Sequence, residues 1–347
     1  MKSRLICTIQ SIFLNAIVLS FIASASAFAQ QDEDVSLSFD STANVSPLQI
    51  ERGRLKLECD HPGISRITTY DIWSADIPVA FDYFRIAFVA DTHYPSRFTD
   101  ETMHSLANVL DELRADILLL GGDYQEDISY AKPLMDTIME ASHHCPAYAI
   151  LGNNDIPWRD SVVSIIRQAG IVYLRDSAVT IERGDSHITL CGIAFSHKPN
   201  FVSPSLGQPE KDFVIQMVHV PDFAETHDTG GADLTLAAHT HGGQVTLFGM
   251  FAPVTSSKYC RKFLKGLNYN SKGHPVITNT GIGTSRINMR AFAPSEVVLL
   301  TLRTWRTHDP LSDKSLPDVT PKPHRTQMNE IEEEELAPFE MEVPKLM

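Results

Sequence analysis

The sequence predicts an α/β chain in which two β-sheets pack face to face with helices outside. Two observations predict it. Between residues 85 and 168, short apolar runs alternate with helical periods, the βαβαβ order of a parallel sheet with helices on its faces. After residue 179 the helical periods fade and short apolar runs follow one another closely, as in a second, strand-rich sheet. Hydrophobic residues are 43% of the 347 and charged residues 21%, enough apolar surface for a sizeable core.

The elements follow in order. Residues 66–77 are expected to add an N-terminal edge strand. Residues 85–90 are apolar and read as a buried strand. A helix follows with Asp100 as its cap, and Met103, Leu106, Leu110 and Leu113 mark one face at helical spacing. Residues 116–120 are the next strand, 133–142 a helix, 148–151 a strand and 161–168 a helix. Further strands are expected at 179–182, 187–193, 213–218, 234–238, 244–247, 275–280 and 296–302.

Five of these strands run directly into polar, metal-capable residues. Strand 85–90 ends in Asp91-Thr92-His93, and strand 116–120 in Gly121-Gly122-Asp123. Strand 148–151 ends in Gly152-Asn153-Asn154-Asp155, strand 213–218 in His219, and strand 234–238 in His239-Thr240-His241-Gly242-Gly243. Any one of these alone is an ordinary turn or a packed histidine. Together they deliver carboxylate, amide and imidazole to one sheet edge, where open α/β sheets gather their chemistry. Alternation puts residues i and i+2 on the same side of an extended segment, so Asp91 with His93, and His239 with His241, can each aim two groups at one point. Oxygen and nitrogen donors without thiolate suit Mn²⁺, Fe²⁺ or Zn²⁺. A carboxylate such as Asp123 can bridge two ions, and two ions about 3.5–4 Å apart can clamp both sides of an in-line displacement at phosphorus. His143, His144, Cys145 and His227 read as loop or helix-end residues.

This series resembles the calcineurin-like metallophosphoesterase superfamily. The later stretches Leu236–Gln244, Ser257-Lys258-Tyr259, Lys265-Gly266-Leu267 and Gly281–Ser285 resemble its membrane-associated or exported bacterial subgroup, which includes UDP-2,3-diacylglucosamine pyrophosphatases of lipid A synthesis. The resemblance covers residues 55–303. It implies a four-layer α/β/β/α sandwich of two mixed β-sheets flanked by helices. It implies one ion, Mn²⁺ first, held by Asp91, His93, Asp123 and His241, and a second held by Asp123, Asn153, His219 and His239. Asp123 then bridges the pair. The implied activity is hydrolysis of a phosphodiester or diphosphate by a hydroxide held between the ions, on a small-molecule substrate, lipid-linked in that subgroup.

One position departs from the pattern. The superfamily usually has a histidine after the metal-binding Asn; here it is Asn154. An amide donates a hydrogen bond but is no general acid at neutral pH. Its side chain can steady charge on a phosphoryl oxygen, and Asp155 then orients loop or ligand. Arg286 and Arg290, beyond the Gly281–Ser285 turn, are candidates to grip substrate phosphate, with solvent exposure or an ion pair as the alternative. Residues 248–252 form an apolar patch beside the site, open to an acyl chain or to core packing.

The ends carry separate signals. Lys2 and Arg4 precede an apolar stretch ending in Ala27-Phe28-Ala29, the pattern of a signal peptide cut after Ala29, with an uncleaved anchor as the alternative. Either way the remainder is exported, to the periplasm, the exterior or an outward-facing membrane surface. UDP-linked lipid A precursors are made on the cytoplasmic face, so export pulls against that substrate. Residues 30–54 read as loose, and 304–347 as an acidic, disordered tail. The net charge of −14 leaves no surplus to neutralise a phosphate backbone, which disfavours nucleic-acid binding. Five cysteines without a CxxC pair argue against a zinc ribbon or dithiol, and export leaves pairing or free thiols open for Cys59, Cys145, Cys191 and Cys260. The runners-up are an exported nucleotidase or broad-specificity phosphodiesterase and, from another class, a non-catalytic metal-dependent scaffold.

Overall fold

A computed structural model describes residues 48–53, 61–143, 145–195, 201–209, 211–248 and 251–305. The segment 1–29 expected to be a signal peptide, most of the stretch expected to be loose and nearly all of the acidic tail lie outside the described residues, as do Cys59 and His144.

Two mixed sheets carry the fold. The first has seven strands: β1 (Leu48–Arg52), β2 (Arg66–Ser74), β3 (Phe84–Val89), β4 (Ile117–Leu120), β5 (Ala147–Ala149), β6 (Val172–Tyr173) and β13 (Glu296–Thr304), in the order β1-β2-β13-β3-β4-β5-β6. The second has six: β7 (Ser177–Arg183), β8 (Ser186–Gly192), β9 (Val214–Met217), β10 (Leu234–Ala237), β11 (Gly266–Tyr269) and β12 (Pro275–Thr278), in the order β11-β12-β10-β9-β8-β7. β3, β4 and β5 run parallel as neighbours, and so do β9 and β10. Their carboxyl ends are where the polar motifs begin.

The helices are α1 (Asp100–Leu113), α2 (Ala131–Ala141), α3 (Arg159–Gln168) and the four-residue α4 (Phe223–Thr226). α1 starts at Thr99, whose side chain accepts from the Thr102 N–H at 3.3 Å, so Thr99 takes the capping role expected of Asp100. Leu106, Val109, Leu110 and Leu113 of α1 are buried with Leu134 and Ile138 of α2, Val162 and Ile166 of α3, and Val89, Leu118 and Leu120 of the first sheet. Burying each such side chain contributes about 1.5–3 kcal/mol. The opposite face of that sheet offers Phe88 and Leu119 to Leu190, Met217 and Leu236 of the second sheet. Full burial on both faces explains why β3 and β4 read as unbroken apolar runs. Beyond the second sheet, Val218, Ala237 and Val276 pack against Phe223 and Phe263. The layers are therefore helix, sheet, sheet and a thin outer layer.

Four expectations need correction. Residues 244–247 are no strand: Val245 and Leu247 make only isolated bridges, to Ala291 and Phe251, because left-handed turns at Gly243 and Gln244 break the extension. β2 is not an edge strand, since β1 pairs antiparallel outside it. That pairing also places a strand, Leu48–Arg52, inside the stretch 30–54 expected to be loose. β6 and β11 were not expected, being too short or too polar to show a period. Among the described residues Cys145, Cys191 and Cys260 are free thiols, and no helix is long and apolar enough to cross a membrane. His143 follows α2 and pairs with Asp111, and His227 stacks on Phe223 at the end of α4.

Candidate metal centre

The strand-end residues converge. Ligand atoms of Asp91, His93 and His241 lie within 4.8 Å of one another, and those of Asp123, His219 and His239 do the same. Asp123 joins the groups: its Oδ2 is 3.5 Å from His93 Nε2 and 3.3 Å from His219 Nε2. Asn153 belongs to the same locus, next to Asn154, whose backbone N–H donates to Asp123 Oδ1 at 2.8 Å. The seven sequence-predicted ligands thus come together from five strands of two sheets.

The backbone is bent to achieve this. Asp91, His93, Asp123, His239 and His241 all have positive φ, between +45° and +72°. Left-handed backbone is uncommon outside glycine, and Asp and His are among the residues that tolerate it best. Five such residues at one spot mark stored strain of the kind that functional sites hold. Glycine makes the remaining room: a Cβ on Gly152 would stand 2.1 Å from Asp123 Oδ1 and 2.6 Å from His219 Cε1.

The donor set fits divalent cations. His93 Nδ1 is 2.7 Å from Glu126 Oε1, and His219 Nδ1 is 2.8 Å from the Gly121 carbonyl. Those acceptors place the protons on Nδ1 and turn the Nε2 lone pairs inward, the outer-shell arrangement of metal-binding histidines. Acceptor atoms then face each other: His93 Nε2 and His241 Nε2 at 3.2 Å, and His219 Nε2 and His239 Nδ1 at 3.2 Å. Asp91 Oδ1 and Asn153 Oδ1 are buried without a hydrogen-bond partner, which is costly unless a cation takes them.

Electrostatics agree. Burial lowers His239 to about 3 and His241 well below the ordinary range. Burial opposes the charged form of His219 too, but Asp123 outweighs it and raises the group to about 9. His93 is raised in the same way against burial, by Glu126 and by Asp123. Asp91 is pushed up to about 6 by burial, whereas for Asp123 the charges of His219 and His93 prevail over burial and lower it.

The other candidates sort by contact. Asp155 is fully buried and accepts three backbone N–H bonds, from Asp123 at 2.7 Å, Gly152 at 2.8 Å and Tyr124 at 3.0 Å. Burial and the charge of Asp123 push it up to about 7 against those bonds. It ties the Asp123 loop to the Gly152 loop. Asn154 Nδ2 lies 3.0 Å from His93 Nδ1 and 3.3 Å from Glu126 Oε1. Arg290 turns its guanidinium to the main chain: it donates to the carbonyls of Gly283 at 2.8 Å, Thr280 at 2.7 Å, Ala293 at 3.2 Å and His241 at 3.3 Å. Arg286 is exposed. The turn they follow packs on the site, since Gly283 N–H donates to the Asp91 carbonyl at 2.8 Å and its Cβ would strike the Thr92 carbonyl oxygen.

Two contributors escaped the sequence reading. Glu126 supports His93, and the spacing of an acid three residues after Asp123 was its signal. Asn279 donates to the Phe88 carbonyl at 2.9 Å and so ties the second sheet to the strand that delivers Asp91; no motif marks it.

Residues 84–243, the span that supplies all these ligands, match the family model described as Calcineurin-like phosphoesterase. The chain is 32% identical over 229 residues to the phosphodiesterase YaeI of Escherichia coli K12, covering 63% of this chain and 82% of that protein. It belongs to the calcineurin-like phosphoesterase family. Other members of this family resemble it at lower identity. The uncharacterized metallophosphoesterase YkuE of Bacillus subtilis is 24% identical over 70% of this chain and 87% of its own length. An uncharacterized metallophosphoesterase of Aquifex aeolicus is 23% identical over 69% and 92% respectively. As a family member this chain is a metal-dependent phosphoester hydrolase with an α/β fold of two mixed sheets.

Proposed function

We propose that the chain is an exported, two-metal phosphodiesterase or diphosphatase acting on small molecules, lipid-linked substrates such as UDP-2,3-diacylglucosamine among them. The observation that carries this reading is Asp123 Oδ2, set between His93 Nε2 and His219 Nε2 at 3.5 and 3.3 Å, so that one carboxylate serves both clusters. Asp91, His93 and His241 would hold one ion with Asp123, and Asn153, His219 and His239 the other. Bound divalent ions, Mn²⁺ foremost and Fe²⁺ or Zn²⁺ as alternatives, supply Lewis acidity toward a phosphoryl oxygen and acidify water there.

The residues themselves do the rest. Asp155 fixes Asp123 through its backbone. Glu126 fixes His93 and anchors the Asn154 amide. Asn154 offers hydrogen-bond donation toward a phosphoryl oxygen but no proton to a leaving alkoxide. Absence of a general acid costs about 10²–10⁴-fold on poor leaving groups. It costs far less when the leaving group is a phosphate, whose second pKa is about 6. Diphosphates and activated esters are therefore the favoured substrates.

A panel of Mn²⁺, Fe²⁺ and Zn²⁺ against an aryl phosphodiester, a nucleoside diphosphate, a diacylated UDP-sugar and an alkyl monophosphate tests the reading. Turnover of diphosphate or diester that Asp123→Ala abolishes is expected. Equal or higher kcat/KM on the alkyl monophosphate sinks the substrate class. Two bound ions without turnover of anything favours the scaffold reading, which Asn154 alone motivates. Export is tested by fractionating cells and sequencing the mature N-terminus, expected to begin at Gln30.

A further inference from the structure

Two loops beside the metal centre hold large apolar side chains out of the fold. Phe248, Phe251 and Phe292 are 50%, 57% and 62% exposed, so packing into the core does not explain this stretch. Leu247, Ile287 and Met289 are exposed with them. The loops are fastened together: Thr246 N–H donates to the Ala291 carbonyl at 2.8 Å, and the Gln244 amide donates to the Ile287 carbonyl at 2.7 Å. The rings of Phe248 and Phe292 lie 5.4 Å apart. Both phenylalanines have positive φ, +53° and +52°, a conformation that bulky residues rarely adopt and that their surroundings must impose. Apolar side chains presented by a fastened, strained scaffold form a contiguous exposed patch, the mark of an interaction surface.

Charge says what the patch meets. The chain as a whole carries −14, yet from Leu234 to Ser295 it has seven Lys or Arg and no Asp or Glu. Among these, Lys258, Arg261, Lys265 and Arg286 are exposed. The segment bearing the lysines closes on the patch from beneath: Thr240 donates to the Leu264 carbonyl at 2.7 Å, and a Cβ on Gly243 would meet both Ala252 and Leu264. The acids that meet this segment, Asp222 and Glu225, are taken up by Ser257, the Lys258 N–H and Lys262, so the zone is apolar at its tip with exposed basic side chains around it, and it complements a surface with anionic headgroups over an apolar interior. We propose that the rim formed by Phe248, Phe251, Ile287, Met289 and Phe292 docks this protein onto an anionic lipid bilayer. Arg290 reaches from the same loop to the His241 carbonyl, so a docked rim brings the metal centre to the bilayer surface. The proposal does not depend on which phosphoester is cleaved.

Co-sedimentation of the full chain with phosphatidylglycerol vesicles and with phosphatidylcholine vesicles tests it. Binding to the anionic vesicles is expected to weaken with salt and to fall about tenfold or more in Phe248→Ser/Phe251→Ser/Phe292→Ser. Lys258→Glu/Arg261→Glu/Lys265→Glu should weaken it similarly and flatten the salt dependence. Val172→Ser, an exposed apolar residue of β6, serves as control and should bind as wild type. Circular dichroism of each variant shows that the fold is kept, independently of turnover. Unchanged binding by the triple Phe variant overturns the proposal and transfers membrane affinity to another segment. Equal binding to both vesicles, or to neither, overturns it too. So does a dimer that the Phe substitutions dissolve while vesicles bind nothing, since the occupant is then a second copy.

Discussion

The carboxylate of Asp155 accepts the backbone N–H of Asp123 at 2.7 Å, and Asp123 in turn stands between the two imidazole clusters. The carboxylate proposed to bridge is thus aimed through its main chain by a residue that contributes no ligand atom to either cluster. Asp155→Asn keeps the shape but turns an NH₂ donor toward at least one of the three N–H groups that the carboxylate satisfies. Each unsatisfied buried group costs about 1–3 kcal/mol. A loss of about 2–4 kcal/mol in denaturant unfolding is expected, together with fewer metal ions bound per chain by elemental analysis. An unfolding midpoint equal to wild type would show that these bonds are not what orients Asp123.

Gly152 gives a sharper test of the metal assignment. Its φ is not left-handed, so alanine is tolerated by the backbone, but the added methyl lands 2.1 Å from Asp123 Oδ1. It fills the space between the carboxylate and His219. The expected outcome for Gly152→Ala is a folded protein whose Tm no longer rises when Mn²⁺ is added. The wild type should gain stability by mass action, about 2.7 kcal/mol at a free metal concentration of a hundred times Kd. A Tm increase in the variant equal to the wild type's would place the ions elsewhere.

Legibility followed the physics of each part. β3, β4, β9 and β10 could be read because strands buried on both faces leave unbroken apolar runs, and the seven candidate ligands could be read because each follows closely on a short apolar run. β1, β6 and β11 could not, since short or half-exposed strands are defined by their partners and not by a period of their own. The helical face Leu106-Leu110-Leu113 was visible, while the cap at Thr99 competed with an equally plausible Asp100. Arg290 looked like a phosphate ligand because residue type alone does not say where a guanidinium points. The carbonyls of Gly283, Thr280 and Ala293 that bind it are main-chain groups, which leave no mark in a sequence.

Arg286 and Arg290, four residues apart, should therefore respond oppositely to mutation. Arg290→Met takes the guanidinium from the Gly283, Thr280 and Ala293 carbonyls, while the His241 carbonyl keeps the Gln244 N–H, and is expected to cost about 2–4 kcal/mol of stability. Arg286→Ala removes an exposed side chain and should leave unfolding unchanged. If Arg286 steadies substrate phosphate, its KM rises several-fold with kcat little altered. Denaturant melts and steady-state kinetics on the same two variants check this. A stable Arg290→Met with raised KM would reverse the assignment.

Asn154 provides the test of how the leaving group departs. Its Nδ2 lies 3.3 Å from Glu126 Oε1 and 3.0 Å from His93 Nδ1, in a half-buried position beside both clusters. An imidazole introduced by Asn154→His would find the Glu126 carboxylate as its partner, and a carboxylate neighbour favours the protonated, acid-competent form. The substitution should raise kcat/KM most for alkyl phosphates, whose leaving alkoxide needs a proton. The rise should be smaller for aryl esters and least for diphosphates, whose leaving phosphate departs as a stable anion. A general acid contributes about 10²–10⁴-fold, so the ratio of alkyl to diphosphate turnover should shift by at least an order of magnitude. Glu126→Gln in the same background should reverse part of the gain and flatten the acid limb of the pH profile. A uniform rise across all leaving groups would mean that residue 154 acts on the phosphoryl oxygens and not on departure. In that case the preference for diphosphates would have to come from another part of the site.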